Sequence, residues 1–194
     1  MRKYKVRLIR SWMTMLGYYI TEEDIEDILL NAKVMSQLPS VIVQVWKLSE
    51  AYDLMLESAG WTVTYDYAEK IYDMIKIISD DHVKLTGNKR AAAIKEFEVG
   101  TPIINQEKHF AGAMMTAFVK NRLFGRYSGV VGSIVVNTAL IIQGYILIMD
   151  KDTYNNAIDR ICKDNSFIGE CQIKDSVQRL RSLKDLYGYG KMDK

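Results

Sequence analysis

The chain has 194 residues, enough for one well-filled core and too few for two without a linker. Its 26 basic residues nearly balance 24 acidic ones, so bulk charge does not make it a binder of nucleic acid or of an anionic membrane. With two prolines and a hydrophobic share of 48%, no stretch is biased toward disorder, and the two histidines have no partner at metal-ligand spacing, so no metal site is expected.

Arg2, Lys3, Lys5, Arg7 and Arg10 crowd the first ten residues. They read as the solvated face of a first helix rather than a phosphate-binding arm, with Val6, Ile9, Met13 and Leu16 on the opposite face. Basic residues ahead of "WMTMLGYYI" give this start the look of a signal peptide, but no small-residue cleavage site follows and the acidic "TEED" comes at once. A cytoplasmic chain is therefore expected, with delivery into another cell as an effector left open. Thr21 is placed to cap a second helix bearing Ile25, Ile28, Leu29 and Met35. A helix-turn-helix around Gly17 to Thr21 would present "EEDIED" to phosphate and repel it, so nucleic acid is the least favoured partner.

A third apolar run, from about Ser40 to Ser58, carries Val41, Val45, Leu48 and Leu54, and Gly60 breaks it. Thr64 then opens a fourth helix with Ala68, Ile71, Met74, Ile75 and Ile78 on one face. From Ser79 the pattern turns polar. "FEVGTPII" alternates as a hairpin or extended flap would, comprising Val99, Gly100, Thr101, Pro102, Ile103 and Ile104. Asn105 is placed to cap a helix whose stripe is Phe110, Ala113, Met114, Ala117 and Phe118.

The run 130–149 carries no charge and is long enough to cross a bilayer. Ser133, Asn137, Thr138 and Gln143 are spread through it and Gly144-Tyr145 marks a stop, so it is expected to be the central buried helix of an all-α bundle and not a membrane span. Asp150 ends the run, and two amphipathic helices near 152–163 and 170–187 complete the chain. Cys162 and Cys171 are expected as two reduced thiols.

The loop "RLFGRYSG", 122–129, lies between an amphipathic helix and a buried one, where orphan amides and the helix dipole favour an anion. Its surroundings resemble the Fic/Doc (Fido) family, in which a helix leads into His-Pro-Phe-x-x-Gly-Asn-Gly/Lys-Arg and a buried helix bearing an Asn leads out to Gly-Tyr. Here "AGAMMTAFVKN" leads in, "GSIVVNTALIIQGY" leads out, and "EVGTPIIN" stands where the family has its target-clamping flap. "DTYNNAIDRICKDNSFI" looks like the family's closing helix, and the resemblance covers about 60–190. It implies a Fido-like helical bundle with a short β-hairpin flap over residues 60–194, preceded by an N-terminal helical extension, 1–59.

The resemblance keeps Phe124 and Gly129 of the motif and departs elsewhere: Arg122 stands at the catalytic His, Leu123 at the Pro, Arg126 at the metal-binding acid, Tyr127 at the first Gly, Ser128 at the Asn and Val130 at the Arg. An Arg stays protonated and cannot act as the base, and a cation at the acid's place repels magnesium. The expected function is a catalytically degenerate Fic-like module acting through a protein partner, without a cofactor. The alternative is an ATP-dependent or other nucleotide-dependent transferase, with Arg122 and Arg126 holding phosphate and His109 or Glu107 as the nearest base. A second match to the motif's spacing, "HVKLTGNKRA", sets His82, Gly87, Asn88, Lys89 and Arg90 in order, but the short, charged "AAAIKEF" after it cannot form the buried helix that such a loop needs. It is read as a surface loop. Homo-oligomerisation is left open.

Overall fold

The computed structural model describes residues 3–31, 37–60, 63–77, 107–163 and 166–182, with Ala91, Lys95 and Leu186. The expected flap at 99–104, the loop from His82 to Arg90, and Met35, Ile78 and Asn105 lie outside these. Among the described residues the chain is mostly helical, with eight α-helices and one two-stranded antiparallel sheet.

Helix α1 (Lys3–Met15) buries Val6, Ile9, Trp12 and Met13. It ends in a left-handed turn at Gly17, φ +84°, with the Tyr18 N–H on the Met13 carbonyl and the Gly17 N–H on that of Thr14. Helix α2 (Glu22–Asn31) begins with a reciprocal cap: Thr21 Oγ1 accepts from the Asp24 N–H at 3.0 Å, and the Asp24 carboxylate accepts from the Thr21 N–H at 3.2 Å. Helix α3 (Pro39–Glu57) starts on a proline, and α4 (Tyr65–Ile75) on Thr64, whose hydroxyl accepts from the Tyr67 N–H. The C-terminal carbonyls of α4 are covered by α3: Gln44 Nε2 donates to Ile75 O and Lys47 Nζ to Met74 O.

Helix α5 (Glu107–Lys120) leads through the loop to α6 (Ser128–Ile141), in which every residue but Ala139 is buried. Neighbours on several sides, α1, α3, α4, α5 and the strand β1 (Tyr145–Leu147), enclose α6, which is why it can be apolar all round. The apolar run does not continue as one helix. It turns at Gly144, φ +80°, into β1, and no helix among the described residues is long and apolar enough to cross a membrane.

Helices α7 (Lys151–Cys162) and α8 (Ser166–Asp175) pack on each other and on α5. The helix expected near 170–187 runs instead from Ser166. It stops at Asp175, the Ser176 N–H closes on Ile173 O, and β2 (Val177–Arg179) pairs with β1. A buried strand needs partners for its backbone, and that need overrides the helical spacing of the sequence.

Among the described residues no strand pairs with the other side of β1. Ile146 faces Gln178 and Gly144 O accepts from Leu180 N–H, so the backbone groups of Leu147 and Met149 point away from β2. Side chains meet them instead. Asn137 Oδ1 accepts from Leu147 N–H at 2.7 Å while its Nδ2 donates to Leu147 O at 3.0 Å. Ser11 Oγ donates to Met149 O at 2.6 Å and accepts from Met149 N–H at 3.3 Å. Trp12 Nε1 reaches Ser133 Oγ, so α1 is joined to α6 and to the strand end. One hydrophobic core runs from Tyr4 to Leu186, with residues on both sides of position 60.

Candidate functional site

The loop from 122 to 129 divides into an outside and an inside. Arg122 and Arg126 are exposed, whereas Phe124, Tyr127, Ser128 and Gly129 are buried. Arg122 is the left-handed residue that closes α5, at φ +46°: its N–H bonds Val119 O and the following Leu123 N–H bonds Phe118 O, the arrangement that Gly17 makes after α1. Its backbone is thus fixed as a helix stop, and its guanidinium is in solvent.

Inside, Phe124 is stacked on Tyr65 and Phe118 at centroid distances of 5.8 and 5.9 Å. Tyr127 donates to Gln44 Oε1 and accepts from the Ile77 N–H, both at 3.3 Å, tying the loop to the end of α4. Ser128 Oγ accepts from Phe124 N–H and donates to Gly125 O. The amides of Tyr127 and Ser128 close a 3-10 turn on Phe124 O and Gly125 O. Tyr154 of α7 lies against Gly129 so closely that a Cβ there would be 2.0 Å from its hydroxyl. Burial pushes the Tyr154 pKa up to about 12, so this hydroxyl stays neutral. Protein atoms thus take the amides of Tyr127 and Ser128 and the space beside Gly129.

His109 is exposed in the first turn of α5 and Glu107 begins it, whereas Arg122 follows its other end. At a rise of about 1.5 Å per residue, about 16 Å or more of helix separates them. Among the described residues no group of three or more His, Cys, Asp or Glu could hold a metal, and Cys162 and Cys171 are separate thiols.

A cleft of 440 Å³ opens elsewhere, between α1, the Tyr18–Tyr19 turn and the start of α7. Arg7, Arg10 and Lys151 face it, as do Glu22, Asp150 and Asp152. Arg10 Nη1 is 3.3 Å from Glu22 Oε1. The Asp150 carboxylate accepts from the Thr153 N–H at 2.8 Å, which holds its pKa below the ordinary value and caps α7. Lys151 Nζ sits 3.9 Å from the centroid of the Tyr19 ring, and Arg7 lies over Tyr4. Of the two loop cations, Arg126 turns this way, 3.5 Å from the Tyr18 hydroxyl.

The basic start of the chain is thus dispersed. Lys5 pairs with Asp53 at 2.8 Å, Arg10 with Glu22, and Arg7 is left to the cleft. The sequence reading missed this cleft. Arg7, Arg10 and Thr14 have a one-face spacing, which was a visible signal, but the facing wall comes from residues 148–152, far along the chain. No family model matches the chain, and a search of curated proteins finds no match.

Proposed function

We propose that the chain is a binding module built on a Fic/Doc-like helix–loop–helix and acting through a protein partner, without nucleotide transfer. The observation that carries it is the filled end of α6: Phe124, Tyr127 and Ser128 are buried, and the Tyr154 hydroxyl rests on Gly129. A loop that hands a phosphoryl or nucleotidyl group to a target needs free amides, room for the phosphates and a base within hydrogen-bond reach. Here the amides of Tyr127 and Ser128 are used within the chain, and α5 keeps His109 far from Arg122. The buried Asn137 and the turn at Gly144-Tyr145 agree with the family's pattern and have a structural use, holding β1. They therefore support a related frame more than a shared reaction.

The test is calorimetric titration with ATP, with and without magnesium, beside a transfer assay with labelled ATP and added protein substrates. The expected outcome is no heat at millimolar ATP and no label on protein. Transfer of label that Arg122→Ala abolishes would overturn the reading.

A further inference from the structure

We draw no further inference here: the strongest candidate, the exposed apolar stripe of Leu38, Pro39, Val43 and Trp46 along the start of α3, carries none because nothing in the structure shows what covers it.

Discussion

The two helix starts on which binding could be built, those of α6 and α7, have been treated in opposite ways. At α6 the chain closes its own helix end with aromatic rings, a serine hydroxyl and the Tyr154 side chain, all buried or half-buried. At α7 one carboxylate, Asp150, caps the first turn and the rest of the end opens on the cleft. A helix start inside a core must satisfy its amides from the chain itself, because water is absent. One at the surface can leave that to a short cap and keep charged side chains for other uses. The difference teaches that a loop's position between two helices does not make it a site; what fills the space in front of it does.

Four measurements would break or sharpen this contrast. Phe124→Ala should cost about 3–5 kcal/mol in urea unfolding, the range for a large buried side chain; a loss near zero would mean the loop is not part of the core. Gly129→Ala should cost about 1–3 kcal/mol by overpacking against Tyr154, and less in a Tyr154→Leu background, because the two changes touch. At the open end, Asp150→Ala should cost about 0.5–2 kcal/mol at neutral pH by removing the cap. The folded Asp150 carboxyl titrates below its ordinary value of 3.8, so its contribution is present above that value and is lost as pH falls through the folded value. The gap between wild type and Asp150→Ala should therefore shrink below pH 3.8. The smallest effect has the opposite sign: Arg122→Gly should raise stability by up to about 1 kcal/mol, since glycine adopts the left-handed turn without strain.

Much of the frame was legible. Val6, Ile9 and Met13 are buried on α1 as their spacing requires, Thr21 and Thr64 cap the helices they precede, and the buried helix ends just before Gly144. These features are local, set by periodicity, a hydroxyl or a glycine. The candidate loop was legible in position only. Nothing in "RLFGRYSG" says that Tyr127 will point at Gln44 or that Tyr154 will cover Gly129, because both partners come from other elements. The strand at 177–179 was missed for the same reason: its pairing with β1 depends on a backbone over 30 residues away.

The use of Ser11 and Asn137 as substitutes for a missing strand has a consequence for synthesis. Ser11 and Met149 are separated by 138 positions. A chain emerging from its N-terminus can form α1 early, yet Ser11 and Trp12 have no native polar partner until Ser133 and then Met149 have been made. Helix α1 can pack on α2 and α3 early, but its buried polar side chains must wait for the centre of the protein to arrive. Loss of Ser11 and Trp12 should for this reason unsettle the segment around residue 149, far along the chain, and nascent chains ending before that point are the ones that should need a chaperone.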